Sequence, residues 1–208
     1  MATKVYTFHI TYEGLEEKIW RKVEVSSNYR LDQLGYMVLA AFDTMAYHLF
    51  EFYYDDDRFE IPNEDAPFEQ IDMADFKLHQ LKLKLGDRIR MEYDFGTMQT
   101  FWLELIEIAD MKRGWGRRYP YVLDGAGRGI IDDMSCEELS ELVAQIDRNG
   151  KTDEPIYYQE RRMPWDYRWF DLDCMNSLLK GEIERIEEGY APFWEPTMED
   201  AASCGEVR

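Results

Sequence analysis

Five polar side chains occupy positions where alternation or loop spacing could aim them at one another. Arg21 shares the strand parity of Ile19, Val23 and Val25, and His48 stands on one row with Phe50, Phe52 and Tyr54. Asp94 opens the tripeptide Asp94-Phe95-Gly96, and Asp132 and Asp133 are adjacent carboxylates in a glycine-rich stretch. An imidazole titrates near neutrality and ligates metals. Adjacent carboxylates offer hard oxygen donors, so Asp94, Asp132 and Asp133 form a candidate magnesium or manganese set. An arginine on a core-facing row must find a carboxylate or carbonyl partner or face a ligand, because an unpaired buried charge costs several kcal/mol. With Trp20 beside it, the group Trp20, Arg21, His48 and Asp94 is the candidate ligand-binding groove. Plainer roles are open for Arg21, His48 and the pair Asp132-Asp133: an ion pair, a hydrogen-bonded core histidine and a helix cap, respectively.

No complete catalytic signature accompanies these residues. Asp94-Phe95-Gly96 matches the kinase metal-binding tripeptide, but the phosphate loop, the strand lysine and the His-Arg-Asp segment are missing. There is no G-x-S-x-G, and the three histidines are His9, His48 and His79. Asp55-Asp56-Asp57 lacks the spacing of a calcium loop and reads as a solvated hairpin tip. Gly125, Gly127 and Gly129 are not followed at phosphate-loop spacing by G-K-[ST], so phosphate cradling is not expected. Cys136, Cys174 and Cys204 have no C-x-x-C spacing, which argues for a reducing compartment and against a structural zinc site.

The elements that would position these groups follow from periodicity. Val5–Tyr12 and Ile19–Val25 alternate and form a hairpin; Leu31, Leu34, Val38 and Phe42 recur at helical spacing across 29–43, with Asn28 or its neighbour as N-cap. A strand is expected over Tyr47–Tyr54. The central hairpin runs through Leu85–Ile108: Ile89, Met91 and Tyr93 share a face, Gly96 turns the chain, and Phe101, Leu103 and Leu105 return. There the phase changes to Ile106 and Ile108, which a bulge near Leu105 explains. Residues 112–135 read as a long loop packed over the sheet. Ser135-x-x-Glu138 is a capping box opening a helix that Asn149-Gly150 ends, and a last helix runs from about Asp171 or Asp173 to Gly189.

The 208 residues carry 43 acidic and 24 basic side chains, a formal net charge of −19. Such a surface repels phosphate backbones, and the basic clusters are short: Arg113, Arg117 and Arg118, then Arg161 and Arg162. Direct nucleic-acid binding is therefore not expected, and an acidic decoy of a DNA-binding protein is one open reading. No apolar leader or membrane span is visible, so cytoplasm is the default location.

Several stretches together resemble the agrobacterial Ri-plasmid open-reading-frame-three-like family, which includes transposon resolvase-like passenger proteins. They are Ile19-Trp20-Arg21-Lys22-Val23, Leu31-Asp32-Gln33-Leu34, His48-Leu49, Tyr93-Asp94-Phe95-Gly96, Leu123-Asp124-Gly125-Ala126-Gly127, Asp132-Asp133 and Phe170-Asp171-Leu172. The resemblance implies an α+β fold without an established activity. Where relatives continue with an acidic residue, a tryptophan and a histidine, this chain has Thr97, Gln99 and Phe101. Gly129 and Met134 replace cysteines of the acidic loop, so zinc is not expected.

The resulting expectation is a single α+β domain over 1–190 with a mobile acidic tail at 191–208. It has a mixed sheet of N-terminal and central hairpins, a β-grasp-like ββαβ start with the helix on one face, and peripheral C-terminal helices. The leading functional reading is a binding or interaction module for an unknown protein or small molecule, without a resident cofactor. The alternative is a magnesium- or manganese-dependent hydrolase or nuclease accessory to a mobile element.

Overall fold

A computed structural model of the chain describes residues 3–61, 71–111, 120–156 and 164–194. Both arginine clusters, Cys204 and residues 195–208 of the acidic tail lie outside them. Eight strands form one mixed sheet: β1 (Lys4–Tyr12), β2 (Trp20–Ser26), β3 (Phe50–Tyr54), β4 (Asp57–Glu60), β5 (Ile71–Asp72), β6 (Arg88–Tyr93), β7 (Gln99–Asp110) and β8 (Tyr121–Ala126). Their order is β5-β4-β3-β6-β7-β1-β2-β8, and all neighbours are antiparallel except β4 and β5. Helices α1 (Leu31–Ala41), α2 (Cys136–Asn149) and α3 (Leu172–Trp194) complete an α+β architecture.

Both predicted hairpins are present, because alternation sets the core row. Phe8, Ile10 and Tyr12 of β1, Val23 and Val25 of β2, Met91 and Tyr93 of β6, and Phe101, Leu103 and Leu105 of β7 are all fully buried. The predicted bulge is there too: Thr7 pairs with Glu107 while Phe8 pairs with Leu105, leaving Ile106 as the extra residue. Beyond it, Ile106 and Ile108 turn outward and are exposed. The ββαβ order also stands, but β3 joins the sheet on the far side of β6 and β7 from β1.

Four boundaries differ from expectation. Helix α1 is capped by Arg30, whose backbone N–H donates to Gln33 Oε1 at 3.2 Å, and not by Asn28. Strand β3 starts at Phe50, so His48 is a loop residue. The long loop contains β8, whose pairing with β2 exists only in three dimensions. Helix α3 continues through Gly189 to Trp194. Glycine costs about 1 kcal/mol inside a helix, and burial outweighs it here: Tyr190 is 1% exposed, with its ring 5.3 Å from those of Tyr36 and Phe50.

Neither C-terminal helix enters the sheet, yet α3 is firmly attached. Leu179, Ile183 and Ile186 are buried. The Asn176 amide clamps β8, accepting from Val122 N at 2.9 Å and donating to Val122 O at 2.8 Å. Helix α1 shows the consequence, with nine of its eleven residues buried.

Candidate functional site

Three loops meet at one end of the strands: 43–49 before β3, 94–98 between β6 and β7, and 127–135 between β8 and α2. Backbone bonds tie them together. Asp94 N donates to Leu49 O at 3.1 Å, and Ile130 N to Phe42 O at 3.1 Å. Gln99 Nε2 donates to Ile131 O at 3.1 Å and its Oε1 accepts from Tyr12 at 3.1 Å, anchoring the third loop to the core. Gly129 makes this approach possible: its φ is +145°, and a Cβ there would lie 2.3 Å from Phe42 O. The glycines of this segment thus serve close packing.

The loops bring His48, Asp94 and Asp133 together. Their donor atoms all lie within 4.8 Å of one another. His48 Nε2 is 2.8 Å from Asp133 Oδ1 and 3.6 Å from Asp94 Oδ2. Asp94 is 4% exposed and fixed at both oxygens: Gly96 N donates to Oδ1 at 3.1 Å and Thr97 Oγ1 to Oδ2 at 2.5 Å. Asp133 is the exposed member and accepts from the Tyr47 hydroxyl. That hydrogen bond, helped by His48, holds the Asp133 carboxyl below the usual range, and it raises the Tyr47 phenol.

Asp132 faces elsewhere. Its Oδ1 accepts from Tyr93 at 2.5 Å and its Oδ2 from Met45 N at 2.8 Å, and burial raises its pKa. Of the sequence-derived metal set, Asp94 and Asp133 therefore share a point with His48, while Asp132 braces the loops. Around them the backbone is strained. Of seven non-glycine residues with positive φ among the described residues, five (Asp43, Ala46, Asp94, Met98 and Asp133) belong to these three loops. Each such residue costs about 1–2 kcal/mol, which the surrounding packing must sustain.

The structure separates the other two groove candidates from this cluster. Arg21 is fully buried, and its guanidinium is satisfied by backbone carbonyls. Nε donates to Ala41 O at 2.9 Å, Nη1 to Trp20 O at 2.8 Å and Ala126 O at 2.6 Å, and Nη2 to Arg128 O at 3.0 Å. It stacks between the rings of Phe42 and Phe170 at 5.0 and 4.7 Å. Burial lowers its pKa, opposed by the charge of Asp43. Trp20, one residue away on the strand, points to the opposite face and packs against His9 at 5.3 Å. No hydrogen bond, ion pair or ring contact joins either residue to His48 or Asp94.

Sequence reasoning missed the tyrosines that frame the site. Tyr93 lay on a core row, where alternation reports burial but not what the hydroxyl meets. Tyr190, whose hydroxyl donates to His48 O, is 142 residues away in sequence. Tyr47 lies beside His48, their ring centroids 4.4 Å apart.

A crystal structure of a protein of unknown function from Methanosarcina mazei Go1 has a similar fold, with a TM-score of 0.67 and 21% identity, covering 83% of this chain and 97% of that one. No curated protein matches the chain. No helix among the described residues is long and apolar enough to cross a membrane. A family model, plasmid pRiA4b ORF-3-like protein, matches residues 4–174, a span that contains every strand among the described residues and all three members of the histidine–aspartate cluster. The chain belongs to the plasmid pRiA4b ORF-3-like family.

Proposed function

We propose that the chain is a binding module whose ligand is a divalent cation of the manganese or magnesium kind, held by His48 Nε2, Asp94 Oδ2 and Asp133 Oδ1. The observation that carries this reading is the meeting, within 4.8 Å, of three donors from three separate loops. Neighbouring ligands of an octahedral ion at about 2.1 Å lie about 3 Å apart, so the observed 2.8 and 3.6 Å need only small adjustment. One imidazole with two carboxylates suits manganese better than magnesium, which prefers an all-oxygen shell. Between His48 and Asp133 a hydrogen bond occupies the place the ion would take, so loading the site displaces a proton.

Calorimetric titration with manganese and with magnesium tests the proposal. Wild-type protein is expected to bind manganese at one site, more tightly than magnesium, and Asp133→Asn is expected to weaken both. Asp133 is exposed, so the variant keeps the fold. Wild-type protein that takes up neither ion at millimolar concentration overturns the reading.

Hydrolysis is a second reading, favoured by the one-sidedness of the set. Three protein ligands, with Asp133 open to solvent, leave coordination positions for a water and a substrate oxygen. Manganese-dependent release of nitrophenol from a generic phosphodiester, lost in Asp94→Asn, would separate hydrolysis from binding alone.

A further inference from the structure

The loops that carry His48 and Asp94 also present large apolar side chains to solvent. Ten such residues stand exposed among the described residues, and four of them lie on loops 43–49 and 94–98: Met45, Tyr47, Phe95 and Met98, at 41%, 54%, 45% and 51%. Each is tied to the cluster. Met45 N donates to Asp132 Oδ2 at 2.8 Å, and the Tyr47 ring centroid is 4.4 Å from that of His48. Phe95 follows Asp94 in the chain, and Met98 N donates to Asp94 O at 2.7 Å.

Folding does not account for these side chains. Met98 has φ +53°, a conformation that glycine or asparagine adopts at lower cost, and its half-exposed side chain adds little to the core. The turn is held by Asp94 O, which accepts from Thr97 N at 3.1 Å as well as from Met98 N. Exposed methionines and aromatics grouped on one surface mark a place where another molecule binds.

We propose that this end of the sheet docks an acidic peptide segment of a partner protein, one carboxylate flanked by large apolar side chains, with that carboxylate completing the shell of the cation. This partner rests on the cation-binding reading of His48, Asp94 and Asp133. Charge selects the carboxylate. Asp94 and Asp133 already balance a divalent ion, and Asp132 adjoins them, so a singly charged group is repelled less than a phosphate dianion. Arg128 is the one arginine or lysine on the three loops and is 6% exposed, so these loops offer no cationic fork to a phosphate. Exposure selects a protein over a small molecule. Sites for small ligands enclose most of the ligand in a cleft, whereas these four side chains stand out from their loops, as the apolar centre of a protein interface does.

The test uses the full chain loaded with manganese and three capped tripeptides: acetyl-Phe-Glu-Phe-amide, its Phe-Gln-Phe counterpart and acetyl-Gly-Glu-Gly-amide. Manganese is paramagnetic, so proton relaxation of a peptide held beside it reports even weak binding, and manganese without protein supplies the background. Acetyl-Phe-Glu-Phe-amide is expected to show saturable enhancement above that background, and each control to bind about tenfold more weakly, the scale of one lost charged or apolar contact. Phe95→Ser and Met98→Gly, compared with wild type at equal manganese occupancy, are each expected to weaken the first peptide about threefold to tenfold. Glycine suits φ +53°, so the second variant keeps the fold. Absence of manganese uptake overturns the cation-binding reading and the partner with it. Manganese uptake with equal relaxation of all three peptides overturns the peptide partner alone. So does binding of 3-phenylpropanoate as tight as that of the peptide, manganese-dependent sedimentation with phosphatidylglycerol vesicles, or manganese-dependent dimerisation, which identify a small acid, a lipid surface or a second copy instead.

Discussion

His48 Nε2 and Asp133 Oδ1 lie 2.8 Å apart although 85 residues separate them in the chain. Nothing local brings them together: one precedes β3 and the other follows β8, on opposite halves of the sheet order. Their meeting depends on the core packing that anchors both loops.

Thr97 tests the support of that meeting. Its hydroxyl fixes Asp94 Oδ2, the oxygen that faces His48. Under the cation-binding reading, Thr97→Val lowers manganese affinity about tenfold to a hundredfold, as loss of a group that orients a ligand does elsewhere. Calorimetry measures it. Unchanged affinity in a folded variant would mean that Asp94 needs no such support.

Arg21 tests the separation of frame from site. Arg21→Met leaves the carbonyls of Ala41, Trp20, Ala126 and Arg128 without their donors in a buried position. A loss of about 3–5 kcal/mol in urea unfolding is expected. Arg21→Lys is expected to recover little, since an ammonium cannot reproduce the guanidinium's fork.

On the other face of the sheet, Glu92 and Glu51 are directly paired across β6 and β3, 7% and 4% exposed. Burial raises the pKa of Glu92, opposed by Arg90 and reinforced by Glu51. A folded-state pKa above the unfolded value contributes stability at low pH that is lost as pH rises through the folded value. Glu92→Gln, which has no charge to develop, is therefore expected to be the more stable protein at pH 7, by about 0.5–1 kcal/mol. The gap should close toward pH 4. Thermal unfolding across that range checks it, and a gap that widens on acidification contradicts the account.

Gly189 distinguishes a helix stop from a helix interior. Nothing lies within 4 Å of a Cβ placed there, and the residue sits inside α3. Gly189→Ala is expected to raise stability by about 0.5–1 kcal/mol. Were Gly189 a left-handed terminus, alanine would destabilise instead, and the sign of the shift in denaturant midpoint decides.

The sequence alone determined the two hairpins, α1, the capped start of α2 and the bulge in β7, because burial on one face imposes a period of 2 or 3.6 that any reader of side-chain types can see. Alternation also put Arg21 on a core row, and the need for partners followed from its charge. Tertiary structure alone decided which partners. It gave Arg21 four carbonyls, moved His48 off its strand, turned Asp132 toward Tyr93 and drew Asp133 to His48. It also continued α3 past Gly189 so that Tyr190 could reach the core, and paired β8 with β2. The reason is physical: periodicity records whether a residue faces the core, whereas contacts between loops depend on the packing of distant segments, which no local pattern encodes.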